Sequence, residues 1–153
     1  MSSDFDFLLG GWRVMNTRLT KWLNGCTDWI EFESFHQEKR LTTGGGNFAL
    51  HQYVLNQTLH ERTVLRSYDS QFDCWKIDRL DDMTSLFMSP LKGTFWSNKG
   101  SFISSGKLGT KDVLIWVEWT KICKTFACWE QALSADNGKT WETNWVMEFW
   151  KVK

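Results

Sequence analysis

The 153-residue sequence predicts an all-β domain: a single up-and-down antiparallel β-barrel of about ten strands, with a short N-terminal helix closing one end. Three observations predict it. Short runs rich in Val, Ile, Thr, Phe and Trp recur along the whole chain, and turn residues separate them. Beyond the first ten residues nothing carries a helical period for long. The connections are short and sequential, which favours hairpins over Greek-key crossovers, and a sheet of about ten strands curls and closes on itself. A two-sheet sandwich is the rival architecture.

The elements follow in order. Ser3 or Asp4 can cap a short helix that places Phe5, Leu8 and Leu9 on one face, and Gly10-Gly11 stops it. Strands are expected near 12–20, 27–36, 47–55, 61–68, 73–80, 84–88, 92–96, 101–105, 112–120, 125–133 and 140–151. Turns are expected at Asn24-Gly25, Gly44-Gly45-Gly46, Asp69-Ser70-Gln71, Asp81-Asp82, Asn98-Lys99-Gly100, Gly109-Thr110 and Asp136-Asn137-Gly138. The last of these, between two long apolar runs, is the strongest hairpin signal. In the final strand Trp141, Thr143, Trp145, Met147 and Phe149 share one face, and Glu142, Asn144, Glu148 and Trp150 the other. The 113–119 segment is apolar on both faces, so its outside is expected to be covered; a homodimer interface is one candidate.

Composition narrows the function classes. Eighteen basic residues balance eighteen acidic ones and are scattered among them, so no field draws the protein to nucleic acid or to an anionic membrane surface. No segment reaches membrane-spanning length, and the N-terminus lacks the basic region of a signal peptide. A cytoplasmic protein is expected, in which Asn56-Gln57-Thr58 is a chance glycosylation sequon. Cys26, Cys74, Cys123 and Cys128 form no Cys-x-x-Cys pair and read as reduced thiols, so no metal site is expected. Eleven Trp, eleven Phe and two Tyr supply the core without a disulfide or cofactor.

Phe7-Leu8-Leu9-Gly10-Gly11-Trp12-Arg13-Val14 resembles the Gly-x-Trp signature that opens the first strand of lipocalins and other calycins. The resemblance implies that Trp12 plugs the closed end of the barrel beneath the short helix. The late Arg that lipocalins set against this Trp is replaced here by Lys151 and Lys153. The 25–32, 44–47 and 130–147 segments are similar to the calycin-like family catalogued as domain of unknown function 1579, a likeness that implies fold and brings no activity. Ser134-x-Asp136-x-Gly138-x-Thr140-Trp141 also resembles the Asp-box of sialidases, but one copy cannot make a propeller. The opening motif is similar to nitrobindin-type haem barrels too. Those ligate haem through a His near the C-terminus, whereas His36, His51 and His60 all lie in the first half.

Polar residues inside apolar strands are the candidate site, because burying them unpaired is costly. Arg18 shares a face with Trp12 and Val14, Glu31 with Trp29 and Phe35, and Arg66 with Arg62, Val64 and Tyr68. Glu118 sits with Leu114 and Trp116, and Gln131 with Trp129 and Leu133. With Trp75, Asn144 and Trp145 these make the expected cavity set: Arg18, Glu31, Arg66, Tyr68, Trp75, Trp116, Glu118, Trp129, Gln131, Asn144 and Trp145. An inward Arg–Glu constellation could anchor a ligand carboxylate or supply acid and base. The Gly-rich 44–46 loop lacks the Lys-Ser/Thr pair and the following helix of a phosphate cradle. The expected function is a noncatalytic carrier or sensor of a small hydrophobic molecule. The alternative is a small isomerase, cyclase or lyase, and haem binding ranks third.

Overall fold

The computed structural model describes residues 2–81 and 86–152. Its described strands are β1 (Gly10–Leu19), β2 (Trp29–Arg40), β3 (Gly46–Leu55), β4 (Thr58–Asp69), β5 (Cys74–Asp81), β6 (Leu86–Met88), β7 (Leu91–Trp96), β8 (Lys99–Leu108), β9 (Lys111–Thr120), β10 (Phe126–Ser134) and β11 (Glu142–Lys151). Every pairing is antiparallel. The ladder runs β7-β5-β4-β3-β2-β1-β11-β10-β9, and β8 joins β7 to β9 and closes the ring at ten strands. The predicted barrel is the observed one. Part of the turn expected at Asp81-Asp82, and the first two residues of the strand expected at 84–88, lie outside the described residues.

β6 is an eleventh strand that continues the line of β7. Both pair with β8, β7 through Lys92–Trp96 and β6 through Leu86–Met88. Pro90 lies between them, and a residue without an N–H cannot carry a ladder through. β5 pairs with β7 only at Trp75–Ile77. Beyond Ile77 no ladder among the described residues joins β5 to β6.

Turn chemistry sets several registers. Asn56-Gln57 and Ser97-Asn98 each have two consecutive positive φ values (52° and 63°, 51° and 60°), the backbone of a type I′ hairpin turn. The first of these was read in the sequence only as a sequon. At the other extreme, Asp136-Asn137-Gly138 is no tight hairpin. Seven residues separate β10 from β11, and the Asp136 carboxylate ties them together. It accepts hydrogen bonds from the Thr140 N–H, the Thr140 hydroxyl and the Ser134 hydroxyl. Trp141 of this loop lies edge-on to Trp116, 5.4 Å between centroids, so part of the outer cover of β9 is intramolecular.

The N-terminal helix is a single 3-10 turn, Asp6–Leu8, with no side-chain cap. It buries Phe5 and Leu8 completely over one end of the barrel. Phe5 meets Trp75 and Phe95 edge-on at 4.9 and 4.8 Å. Trp12 donates its indole N–H to the Leu8 carbonyl at 2.7 Å, and Lys151 Nζ sits 4.8 Å above its ring. Lys151 also donates to the Leu9 carbonyl. The lysine that replaces the calycin arginine therefore makes the same kind of cation–π contact with the plug. Trp75, Trp119, Phe102 and Phe149 fill the space above it. These large rings fill that end of a barrel of about ten strands.

Candidate functional site

Alternation on β2 buries Phe32, Ser34, His36 and Glu38 and exposes Trp29, Glu31, Glu33 and Phe35. The face that carries the charged and histidine side chains is the inner one. It meets the inner faces of β1 (Val14, Asn16, Arg18), β3 (Ala49, His51, Tyr53) and β4 (Arg62, Val64, Arg66). The result is a chain of buried hydrogen bonds across the barrel. Arg66 Nη1 donates to both Glu38 oxygens at 2.9 Å. His36 Nε2 lies 2.7 Å from Glu38 Oε1, His36 Nδ1 lies 2.9 Å from His51 Nδ1, and His51 Nε2 lies 2.7 Å from Ser34 Oγ. Asn16 Nδ2 donates to Ser34 Oγ at 2.7 Å, and the Trp145 indole donates to Asn16 Oδ1 at 2.9 Å.

With Glu38 as the carboxylate acceptor, the donors assign themselves. His36 carries its hydrogen on Nε2 and accepts at Nδ1. His51 donates from Nδ1 and accepts the Ser34 hydroxyl at Nε2. Both imidazoles are neutral in this assignment. Burial holds both well below the usual histidine range; the competing claim of His36 on a proton adds to it for His51, and the positive charges of Arg66 and Arg62 add to it for both. Burial pushes Glu38 up, to about 7, against the downward pull of Arg66.

The other half of the interior is a cluster of arginines on tryptophan. Arg18 lies 4.9 Å above Trp145 and 5.1 Å above Phe32. Arg62 lies 5.1 Å from Trp145 and 5.2 Å from Trp129, and Arg79 lies 5.9 Å from Trp129. A cavity of about 240 Å³ opens beside them, lined by Trp22, Arg79, Asp81, Leu86, Met88, Gln131 and Trp145, with Leu80 and Phe87 at its rim. It sits between β5 and β6, which share no ladder among the described residues. Two wider hollows, of about 480 and 640 Å³, open on the outer surface among mostly exposed side chains.

The structure divides the sequence-derived candidates three ways. Arg18, Trp129, Gln131, Asn144 and Trp145 come together at the open end, where Gln131 donates to Asn144 at 3.1 Å. Arg66, Tyr68 and Trp75 lie toward the closed end. There Trp75 is core, with its indole N–H on Asp4, and Tyr68 packs on it at 5.3 Å. Glu31, Trp116 and Glu118 are corrections: Glu31 is exposed, and Trp116 and Glu118 stand on the outer face, Trp116 against Trp141 and Glu118 near Lys99. The expected phase of β11 is also corrected. A bulge opposite Gln131/Ala132 pairs Gln131 with Trp145 but Ala132 with Thr143, so Asn144 is the extra residue and is buried beside Trp145.

Sequence reasoning missed Asn16, Ser34, His36, Glu38, His51, Arg62 and Arg79 as a connected interior. The signal was there: residues 32, 34, 36 and 38 alternate strictly, and their groups can satisfy one another. Among the described residues, no cluster of three His, Cys, Asp or Glu could hold a metal ion, and no helix is long and apolar enough to cross a membrane.

The closed ten-strand ring, the 3-10 plug and the lined end define a calycin-like barrel. The S-type phycobiliprotein lyase CPES from Guillardia theta is a solved structure of similar fold, with a TM-score of 0.64 at 10% identity over 97% of this chain and 90% of that one. At that identity the likeness is one of fold. No family model and no curated protein sequence matches the chain, so the narrower likeness to domain of unknown function 1579 rests on its motifs alone.

Proposed function

We propose that the barrel binds one small, largely apolar molecule at its open end and serves as a noncatalytic carrier or sensor. The observation that carries this reading is the cavity at the β5–β6 gap, walled by Trp22, Leu86, Met88 and Trp145. Its volume of about 240 Å³ lies just under the usual range for drug-sized pockets, roughly 300–1,000 Å³, so the ligand is a small one. The barrel's likeness to a phycobiliprotein lyase supports small-molecule binding in general and says nothing of which molecule. The enzymatic alternative has less support. Among the described residues Asp81 is the one carboxylate lining the cavity, and neither His36 nor His51 lines it. Haem ligation by His36 or His51 is disfavoured because both ring nitrogens of each are engaged. Four free thiols suit the reducing interior of a cell.

Native mass spectrometry of the protein from its own source, followed by extraction, tests the proposal. A one-to-one bound mass is expected, together with quenched Trp emission on titration with small apolar compounds. Leu86→Trp, which fills the cavity, is expected to abolish both. An empty protein that also ignores the whole panel would refute the proposal.

A further inference from the structure

We infer that the ligand is a small organic acid whose carboxylate seats against Arg79 and Arg62 while its apolar body lies along Trp145, Trp22 and Met88. This rests on the reading of the barrel as a container and names the ligand class.

The argument begins with charge. Arg18, Arg62, Arg66 and Arg79 all point into the barrel from β1, β4 and β5. Arg66 is held by Glu38 through two hydrogen bonds of 2.9 Å. Arg62 and Arg79 both feel the charge of Asp81, the carboxylate that lines the cavity beside Arg79 among the described residues. Asp81 lies opposite Arg62 in the β4–β5 register, and Arg79 opposite Val64, so the two arginines are diagonal neighbours on one inner face. Like charges placed there repel, and guanidiniums withdrawn from water are costly unless paired. Burial pushes Arg79 down to about 9, which leaves it a cation at neutral pH.

The hydrogen bonds give the second argument. Arg62 is 4% exposed, yet its Nε and Nη1 find no acceptor among the described residues, and neither does Arg79 Nη1. Arg79 Nη2 is spent on the Met88 sulfur at 2.7 Å, a weak acceptor. Buried donors are nearly always satisfied, so the unsatisfied Arg79 donor lining the cavity, with those of its diagonal neighbour Arg62 behind it on Trp145, marks a place for an acceptor brought from outside. The faces of Trp129 and Trp145 beneath the arginines fix the guanidiniums without using their N–H groups. A carboxylate suits the vacant donors in charge and geometry. Trp145, Trp22, Leu86 and Met88 leave an apolar wall for the rest of the molecule.

Matched probes test this. Isothermal titration with octanoate and with octanamide compares an acid and its neutral amide of one shape, on the wild type, Arg79→Met, Arg62→Met and the outer-face control Arg13→Met. Octanoate is expected to bind one-to-one, about ten- to a hundredfold tighter than octanamide, the range of a charge-assisted hydrogen bond. That preference is expected to fall within about threefold in Arg79→Met and Arg62→Met and to survive in Arg13→Met. Should Arg62→Met fail to fold, Arg79→Met in the cavity wall carries the comparison. Equal binding of acid and amide overturns the ligand class and leaves the container standing. A preference that persists in both arginine variants overturns the site. Binding of neither probe, by a protein that is empty from its source, ends both readings.

Discussion

Replacing His51 with glutamine tests the buried chain, because glutamine can still donate toward His36 and accept from Ser34 but cannot titrate. In the folded protein, burial, competition with the adjoining His36 for a proton, and the charges of Arg62 and Arg66 hold His51 well below the ordinary value of 6.5. The unfolded chain takes up a proton as the pH falls below 6.5 while the folded one does not. Stability linked to His51 is thus present above 6.5 and is lost as the pH falls, by about 1.4 kcal/mol per unit. His51→Gln removes this loss. It also gives up the imidazole's place near Phe149 and Tyr53, each 6.3 Å away, at a cost of about 1–2 kcal/mol at pH 7.5. The two stability curves should therefore cross near pH 5.5 for a cost of about 1.4 kcal/mol, or near pH 5.0 for about 2 kcal/mol. Urea unfolding followed by Trp emission from pH 7.5 to 4.5 measures both curves. Glu38 has the opposite sign, since its raised value makes its protonated form the stabilising one below 4.5, lost as the pH rises through about 7. Its contribution is common to both proteins and cancels in the difference. Parallel curves would show that His51 titrates alike in both states, and the assignment of neutral imidazoles would fall.

Three further outcomes follow from the same structure. Arg66→Met strands Glu38, and breaking such a buried pair costs about 3–5 kcal/mol, or roughly 6–20 °C in Tm; Glu38→Gln in the same chain should recover much of it in a double-mutant cycle read by thermal unfolding. Gly93→Ala puts a methyl against the Ser101 carbonyl and the Phe102 Cα where β7 meets β8, and a loss of about 1–3 kcal/mol or more is expected by urea unfolding; Gly109→Asn, at φ +63° with open space around it, should be nearly silent. The Ser134 and Thr140 hydrogen bonds hold Asp136 down to about 2, so its contribution is present above 3.8 and lost as the pH falls through about 2; Asp136→Asn should abolish that acid limb and speed proteolysis within the 135–141 loop.

The barrel was legible because period-2 patterning and turn residues are local signals. Which face looked inward was not. On β2 and β9 both faces carry aromatics, so Trp29, Phe35 and Trp116 made the outer faces look apolar, although Phe35 is 54% exposed. Glu31 and Glu118 were drawn inward by that company. The true inner face of β2 reads as polar residue by residue, and only the partners supplied by β1, β3 and β4 make Ser34, His36 and Glu38 buriable. Asn144 was assigned to the face opposite Trp145 because a bulge leaves no mark on a strict alternation. Arg18 was placed correctly, since Trp12 and Val14 fix the phase of β1.

The seam beside Pro90 has a consequence for how such a vessel fills. Around the ring the described strands are zipped backbone to backbone, and parting them would mean partial unfolding. Between β5 and β6, among the described residues, side chains such as Met88 and Leu86 line the gap, and these swing on the timescale of rotamers. A guest admitted there leaves every rung of the ladder shut behind it, so quick exchange and a wall that resists unfolding need not trade against each other.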